Sequence, residues 1–142
     1  MSASFRVATT AEDLVRVMVV RGIVFCEEQQ IPYRIERDEF DATAVHVLGE
    51  IDGEPVAAGR IRDCGDHAAL GRIAVRKGFR GKGVGRELTE FLVATARERG
   101  HSSYRLHAQA YLIGFYAQGG FRAVGERFFE AGIEHVLMIR DD

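Results

Sequence analysis

The segment Ile73-Ala74-Val75-Arg76-Lys77-Gly78-Phe79-Arg80-Gly81-Lys82-Gly83-Val84-Gly85-Arg86 concentrates glycines and cations at one place in the chain. It reads as a strand ending at Val75, a glycine-rich turn and the start of a helix. Free backbone N–H groups and the positive end of a helix dipole then point at one spot, which is a phosphate site. Glycine at 81, 83 and 85 lets the backbone approach an anion, while Arg80, Lys82 and Arg86 add charge. Two familiar phosphate loops fail here. A Walker loop needs glycine where Arg76 stands and a hydroxyl where Gly83 follows Lys82. A dinucleotide fingerprint meets Arg86 or Leu88 at its third glycine. The pattern R-x-x-G-x-G, Arg80 to Gly85, remains, and a glycine-rich turn that holds no ligand is its alternative.

Further titratable groups stand elsewhere. Glu28 ends a helical pattern beside a polar stretch, where an exposed helix-end charge is the plain reading. His107 and Gln109 alternate with Leu106 and Ala108, so they face away from the core, toward a cleft or solvent. Glu130 and His135 flank Gly132, and Asp38 and Asp41, with Glu36 and Glu39, form an acidic stretch whose default is a solvated loop. His46, Cys26 and Cys64 read as structural.

These groups need elements to hold them. Ser4 to Ala8 predicts a strand. Thr9 and Glu12 fit a capping box, and Leu14, Val15, Met18 and Val19 lead a helix from about residue 11 to 28. Pro32 and the charges after it predict a loop or short irregular helix over 29–41. Asp52-Gly53 between 44–51 and 54–62 predicts a hairpin, because that dipeptide supplies the positive φ of a primed turn. A strand over 68–75, a helix to about Arg99 with Leu88, Phe91, Leu92 and Thr95 on one face, and Gly100 as its cap follow. Strand 104–110, a short helix 112–118 and a final hairpin of 121–129 and 135–140 complete the order β-α-β-β-β-α-β-α-β-β.

Composition bounds the rest. The 142 residues predict one domain, 1–142, with 46% hydrophobic and 28% charged residues. A net charge of −2 gives no footprint for nucleic acid or an anionic membrane, and no apolar run predicts a membrane span or secretion signal. Two cysteines exclude a disulfide framework and a CxxC site, so a cytoplasmic protein without a bound metal is expected. Glycine, 16 residues, stands above the usual usage of about 7%.

The loop, together with Phe115-Tyr116-Ala117-Gln118-Gly119-Gly120-Phe121, resembles the GCN5-related N-acetyltransferase (GNAT) family. Phe25 to Gln29, Gly71 to Val75, Leu106 to Gln109 and Phe129 to His135 are similar to its ElaA-like or YjcF-like subgroup. The resemblance spans nearly the whole chain. It implies an α/β fold (α+β in some schemes) with a mixed central sheet of about seven strands and flanking helices. It also implies acetyl-CoA as cosubstrate, its pyrophosphate on Arg80, Gly81, Lys82, Gly83, Val84, Gly85 and Arg86, and its pantetheine arm along Ile73, Ala74 and Val75.

The reaction so implied moves an acetyl group from the thioester to a primary amine of a small molecule or peptide. Tyr116 is the expected acid toward the leaving thiolate and a further cofactor contact, with core packing as its other reading and Tyr111 as a substitute. A backbone N–H near Val75 is the expected oxyanion donor. Glu28 and His107 are candidate bases. Glu28, Asp38, Asp41, His107, Glu130 and His135 are candidate acceptor contacts. A non-catalytic acyl-CoA-binding module of the same fold is the competing reading. A homodimer is compatible with the fold, although no sequence feature fixes one.

Overall fold

The computed structural model describes residues 2–142. Seven strands form one sheet: β1 (Ser4–Val7), β2 (Val45–Ile51), β3 (Glu54–Asp63), β4 (Ala68–Val75), β5 (Ser103–Gln109), β6 (Arg122–Glu130) and β7 (Ile133–Asp141). Their spatial order is β1-β2-β3-β4-β5-β7-β6, antiparallel throughout except for the parallel pair β4–β5. The helices are α1 (Ala11–Arg21), α2 (Tyr33–Glu36), α3 (Val84–Glu98) and α4 (Ile113–Gln118). Among the described residues no helix is long and apolar enough to cross a membrane.

Alternation along the strands divides the core in two. Val17 and Val20 of α1, with Val24 and Phe25, pack on Leu48, Ala58 and Ala74. On the opposite face Leu88, Leu92, Val93 and Ala96 of α3 pack on Ala57, Ile61, Leu70 and Leu106. A Cβ at Gly59 would stand 2.8 Å from Leu92, so the missing side chain is what lets α3 seat against β3.

Opposite Gly59, β4 carries one extra residue, because the register passes from Ala58↔Ala74 to Arg60↔Gly71. Arg72 takes a φ of 49° at this bulge, a conformation non-glycine residues rarely adopt. Side chains therefore change faces there: Ala69 and Gly71 lie on the α1 face before the bulge, and Ala74 does so after it. The parallel β4–β5 pairing extends only from Ala68↔Tyr104 to Leu70↔Leu106. Beyond Leu70 the two strands separate, and a cleft opens at their C-terminal ends.

Two expectations change. The helix expected over 11–28 is α-helical only to Arg21, and Gly22–Glu28 is a π-helical turn in which Gln29 N–H donates to Val24 O. The cap is Thr10 rather than Thr9: its hydroxyl accepts from Asp13 N–H at 3.1 Å, while the Asp13 carboxylate accepts from Thr9 N–H and Glu12 pairs with Arg16. Arg6 already draws Asp13 inward at 2.8 Å, which favours this frame.

Candidate active site

The glycine loop leads into α3 with Gly81 and Gly83 at φ of 78° and 84°, values that favour glycine. Gly83 is the N-cap and offers no side chain to the helix. The N–H groups of Gly81, Lys82, Gly83, Val84, Gly85 and Arg86 consequently find no acceptor among the described residues. Six consecutive donors at the start of a fifteen-residue helix fit a diphosphate. Gly85 serves differently from the sequence expectation: a Cβ there would meet Phe115 at 3.2 Å, so this glycine makes room for α4 rather than for an anion. The Val84 side chain is in the core, leaving only its N–H for the site.

The loop cations differ as well. Arg86 stacks over Phe115 and donates to Gln118 at 3.1 Å, still within the cleft lining. Arg80 makes a bidentate pair with Glu28, 2.7 Å on both sides, and its Nε donates to Val75 O at 2.7 Å. The hydrogen bonds from the Arg80 guanidinium hold the Glu28 carboxyl below the usual range, so Glu28 is a fixed anion at the rim.

The opened strand supplies a second set of backbone groups. Arg76 N–H donates to Val56 O at 2.9 Å, which makes Val75↔Ala57 a non-hydrogen-bonded pair. The N–H and C=O of Val75 and Ile73 therefore turn away from β3 into the gap that β5 leaves, where Val75 O already accepts from Arg80 Nε. This is an edge on which an extended, amide-containing chain can pair.

Tyr116 lies beside that gap, only 6% exposed, between Phe115 and Phe121 at edge-on ring angles. It is packed in the core and also lines the cleft. Burial pushes its phenol up, so it keeps its proton at neutral pH. Tyr111 also lines the cleft but is largely exposed.

Across the cleft, β5 and the β6–β7 hairpin bring three candidates together. His107 Nδ1 and Glu130 Oε1 are 2.6 Å apart, and Phe128 stands edge-on to the His107 ring. With the Glu130 carboxylate accepting from Nδ1–H, the Nε2 lone pair of His107 is left free. The bond from His107 keeps the Glu130 carboxyl below its ordinary value. His135 donates from Nδ1 to Ile133 O at 2.7 Å and lies against Phe128.

The acidic stretch is not solvated. Asp38 and Asp41 cap a 3-10 turn (Glu39–Ala42) and, with Glu36, face three arginines. Arg21, 1% exposed, donates to Glu36 at 2.7 Å and to Asp41 at 2.7 and 3.0 Å. Arg60 donates to Asp38 at 2.8 Å and Asp41 at 2.9 Å, and Arg72 to Asp38 at 3.2 Å. Burial pushes the Asp41 carboxyl up, but hydrogen bonds from Arg21 and Arg60 outweigh it and leave it well below 3.8. Asp38 is lowered by the same balance with Arg60.

One cleft of about 1150 Å³ is lined by Ile73, Ala74, Val75, Arg80, Gly81, Gly83, Gly85, Arg86, Asp38, His107, Tyr116, Glu130 and His135. Lys82, Val84, Glu28 and Asp41 lie outside that lining. Arg60, Arg62 and Arg105, which no motif announced, also enter it, as do Arg72 and Gln109 of the subgroup segments, the last pairing its amide with Gln29. The available signal was the alternation Arg60-x-Arg62 and Arg105-x-His107 on strands, which becomes informative once register aligns them.

The chain matches the sequence profile of the acetyltransferase (GNAT) domain over residues 18–141. YjcF of Bacillus subtilis strain 168, described as an uncharacterized N-acetyltransferase, is 37% identical over 137 residues, 95% of this chain and 97% of that protein. ElaA of Escherichia coli K12 is 33% identical over 137 residues, 93% of this chain and 90% of its own. The E. coli ElaA crystal structure superposes with a TM-score of 0.87 at 30% identity, covering 99% of this chain and 100% of that one. A crystal structure of an acyl-CoA N-acyltransferase from Pseudomonas aeruginosa gives 0.88 at 30% identity, with 98% and 99% covered. With a glycine loop and split strands in the arrangement described and a profile match over most of its length, the chain belongs to the GNAT acetyltransferase family.

Proposed function

We propose that the protein is an acetyl-CoA-dependent N-acetyltransferase acting on a primary amine. The observation that carries this reading is the run of six N–H groups, Gly81 to Arg86, without an acceptor among the described residues, next to the edge of β4 that β5 leaves, where Val75 N–H faces the gap. The loop N–H groups, Lys82 and Arg86 would hold the pyrophosphate, and Ile73 and Val75 would pair with the pantetheine amides. Bound there, acetyl-CoA supplies a thioester carbonyl that accepts an amine and releases a thiol.

The protein's own groups then have separable tasks. His107 Nε2, its ring fixed by Glu130, takes the proton of the attacking amine as the C–N bond forms. A gap-facing N–H of Ile73 or Val75 donates to the carbonyl oxygen as charge develops on it. Tyr116 gives its proton to sulfur as the C–S bond breaks. Its raised pKa is no obstacle to that, because a thiolate in the same desolvated cleft is raised too. Glu28, ionised against Arg80, is a weak proton acceptor and instead positions Arg80 at the loop. Asp38 and Asp41 are neutralised by arginine, so they shape the acceptor end rather than attract a free cation. We assign the whole chain, 1–142, to this one unit, working in the cytoplasm.

Release of free CoA thiol with Tyr116→Phe tests the reading. Turnover should fall at least tenfold while acetyl-CoA still raises the melting temperature. A wild-type protein that is stabilised by acetyl-CoA yet turns over no amine in a broad panel would instead be an acyl-CoA-binding module.

A further inference from the structure

Among the described residues three guanidinium groups of the cleft have no carboxylate partner: Arg86, which donates to Gln118 at the glycine loop, and Arg62 and Arg105 at the other end. Arg62 on β3 stands opposite Ala69, and Ala69 stands opposite Arg105 on β5, so the three form one row across the sheet on the α1 face. Both arginines line the cleft, and Ala69 between them leaves room above the sheet. Neither makes an ion pair or a side-chain hydrogen bond among the described residues. The Arg62 guanidinium lies 3.4 Å over the Phe40 ring, which fixes its plane and leaves its N–H edges free. The neighbouring acids are engaged elsewhere: Asp66 with His67 at 2.6 Å and Asp141 with Arg122 at 3.3 Å.

Buried donors strengthen the point. Arg105 Nε is buried and has no acceptor, and so is Arg60 Nε, one row further along the same face on a side chain 5% exposed. Buried N–H groups without acceptors call for one. Elsewhere in this region Arg21, Arg60 and Arg72 are paired with Glu36, Asp38 and Asp41, whereas Arg62 and Arg105 have no carboxylate within ion-pair distance among the described residues. His107 follows Arg105 by two residues on the same face, a spacing of about 7 Å.

We propose that the acceptor amine carries an anionic group, a carboxylate or a phosphate ester, bound between Arg62 and Arg105 while the amine meets His107. This rests on the acetyltransferase reading and adds the substrate class to it. Two guanidiniums suit either anion, since each presents paired donors in a plane. The span corresponds to an amine and anion about five bonds apart.

The test compares 5-aminopentanoate and 3-aminopropyl phosphate, each with five bonds from nitrogen to the anionic carbon or phosphorus, with the uncharged 5-aminopentan-1-ol, by calorimetric titration of the protein with and without CoA. One or both anionic probes should bind at least tenfold tighter than the alcohol, and whichever binds tighter identifies the anion. Arg62→Gln with Arg105→Gln should bring all three within threefold of one another while acetyl-CoA binding is unchanged. Equal binding of all three probes to the wild type, or no binding of the anionic ones, overturns the proposal, and this readout needs no variant to fold. Failure of acetyl-CoA to bind would sink the acetyltransferase reading instead, and the probe titration without CoA reads out independently of it.

Discussion

Replacing Arg21 by Met should remove much of the stability of this protein. One guanidinium, 1% exposed, makes four hydrogen bonds, to the Glu36 carboxylate and carbonyl and to both oxygens of Asp41. Methionine fills similar space but strands the carboxylates. Breaking a buried pair from one side costs about 3–5 kcal/mol. For a chain of this size that is a drop of about 10–15 °C in melting temperature at pH 7, read by circular dichroism. The pH dependence adds a second check. The Asp41 carboxyl is lowered in the fold, so its contribution is complete above the ordinary value of 3.8 and is lost as pH falls below it. Wild type has more of this contribution to lose than Arg21→Met, so the gap between them should narrow from pH 7 toward pH 3. A gap under about 3 °C at pH 7, or one that widens in acid, would refute the assignment of this cluster as structural.

Other outcomes follow from the site. Gly83→Ala forces a side chain into a left-handed conformation at about 1–2 kcal/mol, so acetyl-CoA affinity should fall about fivefold to thirtyfold by titration. Gly81→Ala, at a φ of 78°, should lower the melting temperature although a Cβ there meets open space, whereas Gly78→Ala, without a positive φ and equally open, should leave it nearly unchanged. Glu28→Gln loosens Arg80 and should retain at least a third of wild-type turnover; a hundredfold loss would make Glu28 the base. His107→Ala should lower kcat at least a hundredfold with acetyl-CoA affinity unchanged, and Glu130→Gln should cause a smaller loss by freeing the ring.

Much of the fold was legible because local rules and tertiary demands agree. Asp52-Gly53 does turn β2 into β3, with φ of 51° and 79°, and Gly100 at 98° ends α3. The glycine loop was legible for the same reason: positive-φ glycines before a helix have few other uses. What stayed hidden depends on distant partners. A π-helical turn after Arg21 keeps an apolar pattern that 3.6-residue spacing describes nearly as well. The bulge at Arg72 leaves no local signature, yet it decides which side chains of β4 face the cleft. The acidic stretch reads as solvated only while Arg21, Arg60 and Arg72 are unseen, and those lie from 15 to 36 residues from Glu36 or Asp41. Arg62 and Arg105 become neighbours only through the register of three strands.

The central claim is that the loop and the opened edge of β4 hold acetyl-CoA. Thermal denaturation with increasing acetyl-CoA tests it most directly. At a hundredfold excess over Kd, one-site binding adds about 2.7 kcal/mol, a rise of about 8 °C, and Gly83→Ala should need several times more ligand for the same rise. No shift for the wild type at millimolar acetyl-CoA, or an equal shift for wild type and Gly83→Ala, would contradict it.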